Sequence, residues 1–331
     1  MSEAEAAIVE VIRADWERPV PDSAAAVGEA LRRRHGTAVG AVLFYGSCLR
    51  SGSDRDSLLD LYLVVDRYRD AYPGQALAAF ANRILPPNVF YFEMPWESRT
   101  VRTKYAVIDF DDFAAGATPR ALLPAIWARF SQPTVLLYSR DAQARARIEE
   151  GLSRSIATMA LRTAPLVEEP VDAAGFWIAG YAQSYRAEAR VEGMGRAREL
   201  VQPLRRYEAL LRPALALAGV PFEEAGEGRI RTRLSADERA RGRAFWSRAA
   251  FAARLHSVPR LAKAAVTFEG GVDYALWKVE RHSGVRVEAG PWQRRHPILS
   301  AIPLAFRAWR RGAFRPKSQN PLGPGPEKPA R

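Results

Sequence analysis

The spacing of hydrophobic positions changes about 140 residues into the chain, and that change divides it. Upstream, apolar runs are short and strand-like. Segments 38–45 and 58–65 are almost continuously apolar, 88–94 and 100–110 alternate, and 134–138 closes the series. Helical stretches interrupt them. Ile8, Val9, Ile12 and Trp16 share one helix face, and Pro19 and Pro21 separate it from a second helix. That helix opens at Asp22 or Ser23 and stops at Gly36, after Arg32, Arg33 and Arg34 in its last turn. Further helices are expected over 75–85 and over 119–130, the latter with Thr118 as N-cap and Pro119 at its first position.

Downstream the period becomes helical. Segments 141–163, 172–191, 196–218 and 236–265 predict helices, with breaks at Pro165, Pro170, Pro221 and Pro259. The expected class is α+β: a mixed-sheet domain over 1–140 and a mainly helical domain over 141–290. A basic segment over 291–317 and a Pro/Gly-rich tail over 318–331, read as disordered, complete the plan.

Charge sharpens this division. Residues 1–150 carry 18 Lys/Arg against 20 Asp/Glu, whereas residues 151–331 carry 31 against 17. The second part is therefore built to meet a polyanion, either nucleic acid or an anionic membrane. The single cysteine, Cys48, excludes a disulfide framework, and four scattered histidines give no zinc-like spacing. No apolar run reaches the roughly 18–20 residues that span a bilayer, and the acidic N-terminus does not read as a signal peptide. The expectation is a cytoplasmic protein whose membrane contact is peripheral.

The stretch that carries chemistry is Phe44-Tyr45-Gly46-Ser47, followed after a polar loop by Asp60-Leu61-Tyr62-Leu63-Val64-Val65-Asp66. A strand ending in Gly-Ser and a second opening with Asp is the layout of nucleotidyltransferases. Gly46 lets backbone approach a triphosphate, Ser47 donates to its oxygens, and Asp60 can hold Mg²⁺ against them. Most such enzymes place a second carboxylate two residues after the first, where this chain has Tyr62. Asp66 has the right facing parity but lies roughly 20 Å farther along the strand, so Glu93 is the better second metal ligand. A structural alternative is a strand–turn–strand with an exposed Asp. Asp109, Asp111 and Asp112 read as a solvated turn rather than a metal cluster.

Further blocks resemble the soluble, mitochondrial-type phosphatidate cytidylyltransferases, the translocator assembly and maintenance family. Besides Tyr45-Gly46-Ser47, Leu59-Asp60 and Val65-Asp66, the family's Lys-Tyr-Gly-Val-Ile is similar to Lys104-Tyr105-Ala106-Val107-Ile108. Its helix ending in Arg before a Pro is similar to Trp127–Phe130 and Pro133. Its Ser-Tyr-x-Gly-Asp-x-Arg resembles Ser184-Tyr185-Arg186-Ala187-Glu188-Ala189-Arg190, with two Gly-to-Ala departures and one Asp-to-Glu across these blocks. The resemblance covers most of 40–210 and the C-terminal helix.

It implies a nucleotidyltransferase domain, a winged-helix-like domain and a membrane-binding C-terminal segment. It also implies transfer of CMP from CTP to phosphatidic acid, giving CDP-diacylglycerol and pyrophosphate, with Mg²⁺ as cofactor. Asp60 and Lys104 are then the catalytic residues, and Asp60 and Glu93 the metal ligands. Gly46, Ser47, Arg129, Glu188 and Arg190 contact nucleotide or phosphate. For Lys104 the bland reading is a salt bridge to Glu93 or Asp109; for Arg129, a helix C-cap; for Glu188 and Arg190, an exposed pair.

In segment 291–317, seven basic residues stand with no acidic one. Ile298, Ile302, Phe306 and Trp309 fall on one helical face. With Trp292, Arg310 and Arg311, this predicts an interfacial helix on anionic lipid, at the inner face of a bacterial cell membrane. Docking on the protein's own core is the alternative. Nucleic acid is disfavoured because the aromatics form one stripe rather than a sheet platform. A soluble acceptor such as RNA, or a non-catalytic nucleic-acid-binding role, stays open.

Overall fold

Strand β1 (Val39–Tyr45) has no charged side chain, and every residue before Tyr45 is buried, which places it inside a sheet covered on both faces. In the computed structural model the sheet order is β3-β4-β2-β1-β5, with β2 at Leu59–Val65, β3 at Asn88–Trp96, β4 at Arg99–Asp109 and β5 at Thr134–Ser139. β1 pairs antiparallel with β2 and β5, β3 with β4 antiparallel, and β2 with β4 parallel. The sheet is thus mixed and the class α+β. The structure describes residues 1–54, 58–167, 170–188, 193–202, 204–267, 288–295, 307 and 310.

Alternation along the strands sends two apolar sets to opposite faces. Val42, Phe44, Leu61, Leu63, Tyr105 and Val107 pack with Ala24, Val27 and Leu31 of helix α2 (Asp22–His35). Leu43, Tyr62, Val64, Ala106 and Ile108 face the other way and join Ile8 and Ile12 of α1 (Glu3–Trp16). Short helices α3 (Ser47–Ser51) and α4 (Tyr68–Ala71) follow β1 and β2, and α5 (Ala76–Ile84) precedes β3.

Two expected helices take a different form. Segment 119–130 is not one helix: α6 (Phe110–Ala117) forms directly after β4, and only α7 (Trp127–Phe130) is helical in the remainder. Asp109 caps α6 by accepting the Asp112 N–H at 2.7 Å, so the acidic trio is a helix start. Pro124, which lacks an N–H and crowds the preceding turn, interrupts the rest. Segment 196–218 is divided into α10 (Gly193–Leu200) and α11 (Leu204–Leu217), the latter beginning directly after Pro203.

Helices α8 (Ala142–Thr163), α9 (Ala173–Ala187) and α12 (Ala236–Thr267) follow the expected spans closely, except that α12 runs on through Pro259, where a break is expected. The hairpin β6 (Phe222–Glu224) and β7 (Ile230–Thr232) is not marked by strand-length apolar alternation; Val171 bridges to Ile230 beside it. One hydrophobic cluster runs from the sheet through α8, α9, α11 and α12, so Met1–Phe268 forms a single unit across the expected boundary at 140. Glu269–Arg331 forms a second unit, in which Pro291–Arg295 is a short helix.

A buried ion pair fastens the chain's first helix to this core. Arg206 of α11 donates to Asp15 at 2.7 Å and to the Ser131 carbonyl at 3.0 Å, and both charged side chains are under 10% exposed. Burial alone would depress the Arg206 pKa, but Asp15, Tyr207 and Tyr181 together outweigh it and the value is raised. Removing one partner strands the other charge. Asp15→Ala should therefore cost about 3–5 kcal/mol in urea unfolding, whereas Asp15→Leu combined with Arg206→Met should cost far less. Equal losses in the two variants would contradict the pair's role.

Candidate functional site

The first turn after β1 is shaped by an absence of side chain. Gly46 has φ +92°, a region that residues with a Cβ rarely adopt. A Cβ built there would lie 2.6 Å from Asp60 Oδ2 and 3.2 Å from Asp60 Cβ. Only glycine lets the chain leave β1 this close to the Asp60 carboxylate. Ser47 then opens α3; its hydroxyl is half-buried and makes no hydrogen bond to a described residue.

Strand register sets the remaining neighbours. Asp60 stands opposite Tyr45 on one side and Lys104 on the other, and Lys104 in turn stands opposite Tyr91. Asp60 is half-buried and Lys104 is exposed at the mouth of the sheet. Neighbouring strands lie about 4.8 Å apart, so the carboxylate and the ammonium stem share one row on one face.

Tyr62, two residues beyond Asp60, faces the same side and has a role the sequence reading did not assign. Its hydroxyl accepts a hydrogen bond from Arg129 Nη1 at 2.9 Å, and the same nitrogen donates to the Ala125 carbonyl at 2.9 Å. The Arg129 guanidinium also lies 5.6 Å from the Tyr45 ring centroid and 5.7 Å from that of Tyr62, within cation–π range. Tyr62 packs edge-on against Phe130 at 5.0 Å, and Phe130 against Phe113 at 5.0 Å, which fixes the platform under the guanidinium.

Burial alone would lower the Arg129 pKa. Tyr62, Tyr45, Glu188 and Asp60 outweigh burial and raise it, so the side chain is a fixed cation within electrostatic reach of Asp60. Arg129 is therefore not simply a helix C-cap. Glu188 ends α9 at its C-cap, half-buried, and belongs to the same electrostatic group. Arg190 lies outside the described residues.

Other expected ligands lie elsewhere. Glu93 sits two strands from Asp60, roughly 10 Å across the sheet, and two residues further along its strand. It is exposed and engaged by Arg102 at 3.1 Å and by the Tyr91 hydroxyl. The structure does not bring it to Asp60. Asp66, at the far end of β2, pairs with Arg140. Asp111 pairs with Arg147 at 2.6 Å, and Asp112 accepts from the Tyr68 hydroxyl at 2.6 Å. Among the described residues there is no group of three or more His, Cys, Asp or Glu side chains placed to share a metal ion.

Arg50, in the last turn of α3, adds a further cation near the motif. It is half-buried, and burial followed by the Arg196 guanidinium holds its pKa below the ordinary arginine value. No sequence signal marked it, because a lone arginine after Gly-Ser looks like helix surface. Of the proposed membrane residues, Trp292 is 56% exposed and Arg310 is exposed, while Ile302, Phe306, Trp309 and Arg311 lie outside the described residues. No described helix is long and apolar enough to cross a membrane. No protein-family model and no curated protein matches the chain.

The loop that leads from α3 toward Asp60 is pinned by Asp54. Its carboxylate accepts from the Ser23 hydroxyl and from Arg99 at 2.7 Å, joining α2, the loop and β4. Burial would raise the Asp54 pKa, but Ser23 and Arg99 outweigh it and hold it below the ordinary aspartate range. The stabilisation is therefore full at neutral pH and lost as acid protonates the folded-state carboxylate. Asp54→Asn should flatten the acid limb of the stability–pH curve measured by urea unfolding, without changing its alkaline limb. An unaltered acid limb would contradict the assignment.

Proposed function

We propose that the chain is a phosphatidate cytidylyltransferase, transferring CMP from CTP to phosphatidic acid and releasing pyrophosphate. The observation that carries this reading is the convergence of Gly46, Asp60, Lys104 and Arg129 at one end of the sheet. The sheet region would be a nucleotidyltransferase domain. Helices α9 to α11 with the β6–β7 hairpin and the Val171 bridge are compatible with a winged-helix-like second part.

The acceptor phosphate is already an anion near neutral pH, so the task is to bring two anions together in line rather than to remove a proton. Gly46 leaves room for a phosphate beside the turn, and backbone N–H groups of the turn and the Ser47 hydroxyl would donate to it. Arg129, fixed by Tyr62 and the Ala125 carbonyl, would stand over the departing pyrophosphate. Lys104, exposed at the mouth, would meet the lipid phosphate. Such fixed cations lower the barrier because they need no reorganisation as charge shifts.

Magnesium fits the donor set in a limited way. It commonly binds through one or two carboxylates together with substrate phosphates and waters. Asp60 is the carboxylate that would hold it, and Glu93 is too distant to share it. When bound, Mg²⁺ would neutralise phosphate charge. The basic C-terminal segment, including Trp292 and Arg310, would rest on anionic lipid at the cytoplasmic face while the acyl chains stay in the bilayer.

The test is transfer of labelled CMP from CTP to phosphatidic acid in mixed micelles. The wild type should give a Mg²⁺-dependent lipid product, Asp60→Ala should give none, and Lys104→Gln should lose about 10²-fold in rate. All three should keep the same circular dichroism spectrum. A fully active Asp60→Ala enzyme would overturn the reading, and transfer to RNA in place of lipid would replace it with a soluble acceptor.

A further inference from the structure

A second cationic site lies away from the Gly46–Asp60 end of the sheet. Between the end of α8, the turn after α11 and the first half of α12 is a groove of about 350 Å³, a size suited to a small ligand. Its lining includes Arg162, Arg241 and Arg248, with Phe245, Pro165 and Val220 as apolar walls. None of these belongs to the site already described. Gly242 lets α12 approach closely, since a Cβ there would lie 2.3 Å from Pro165 Cβ.

The charges in this groove are not balanced. Arg241 and Arg248 are seven residues apart on α12 and so project from one face. Neither forms an ion pair or hydrogen bond with a described residue. Arg162 is clamped rather than neutralised: its guanidinium carbon lies 3.6 Å from the Phe245 ring centroid, and Nη2 donates to the Pro119 carbonyl. Its Nε is buried with no partner among the described residues. Glu238 is the one carboxylate in the lining, and it accepts from the Ser235 N–H at 2.8 Å and hydroxyl at 2.7 Å. Arg241 reaches Glu238 only as a longer-range charge. Burial, and then Arg248, push the Arg162 pKa down, as expected where two guanidiniums line one groove.

We propose that this groove binds a phosphate group, with Arg162 as the fixed, ring-stacked fork and Arg241 and Arg248 closing on the anion from α12. A planar guanidinium held in place matches phosphate oxygens with little loss of freedom. The apolar walls suit the organic part of a phosphoester, so a lipid headgroup and a small soluble phosphate compound share the chemistry required.

Residue-resolved arginine labelling tests this on the full chain. Phenylglyoxal modification of Arg241 and Arg248, read by mass spectrometry, should fall several-fold in millimolar inorganic phosphate relative to chloride at equal ionic strength. A parallel arm compares vesicles of phosphatidylcholine with vesicles of phosphatidylcholine and phosphatidic acid. Protection by inorganic phosphate assigns a site for the phosphate group itself; protection by phosphatidic acid vesicles alone assigns a headgroup site. Unchanged labelling in every arm overturns the proposal. The thermal stabilisation given by phosphate should also persist in Asp60→Ala and drop in Arg241→Gln/Arg248→Gln, which leaves the clamped Arg162 in place. Full stabilisation in that double variant would equally overturn it.

Discussion

The approach of Gly46 to Asp60 is the contact on which the candidate site depends. β1 and β2 are adjacent antiparallel strands, so the end of one and the start of the other necessarily meet. A side chain at the turn would fill the space in front of the carboxylate. With glycine at positive φ and no side chain, the backbone passes close to Asp60. A bare backbone turn next to an acid is a place where a phosphate and its counter-ion can sit together. Everything else in the site is arranged around that gap: Lys104 by register, Arg129 by packing, and the connecting loop by Asp54.

Tyr62 gives the site its particular character. A carboxylate at that position would add negative charge beside Asp60. A tyrosine instead offers a ring to pack on Phe130 and a hydroxyl to receive Arg129, so the position orients a cation. The Arg129 guanidinium and the Asp60 carboxylate thus feel one another across this face, and register sets Lys104 opposite Asp60. Such a mixture suits a reaction in which two anions must be held against their repulsion. The helical region contributes through Glu188 at the C-cap of α9, and one hydrophobic core joins that helix to the sheet.

The strands and most long helices were legible because their signals are local: period-two or unbroken apolar runs bounded by Gly and Pro. The helix expected over 119–130 failed where two local signals competed. Thr118-Pro119 resembles a helix start, but Asp109 had already capped a helix ahead of it and Pro124 interrupted the remainder. The hairpin at 222–232 was missed because three-residue strands carry too little periodicity to read. In the site, Gly46, Ser47 and Asp60 were visible as a motif. Glu93 was misplaced because sequence gives the parity of a strand residue but not how many strands lie between two residues. The parts played by Tyr45, Tyr62 and Arg50 arise only from packing across distant segments, and nothing in their neighbouring residues announces them.

We propose that the glycine turn beside Asp60 holds the nucleotide, and equilibrium binding of CTP in the presence of Mg²⁺ tests this most directly. The wild type should bind CTP saturably, and Gly46→Ala, folded by circular dichroism, should lose that binding because its methyl group occupies the space before the carboxylate. CTP binding by Gly46→Ala equal to that of the wild type would contradict the account.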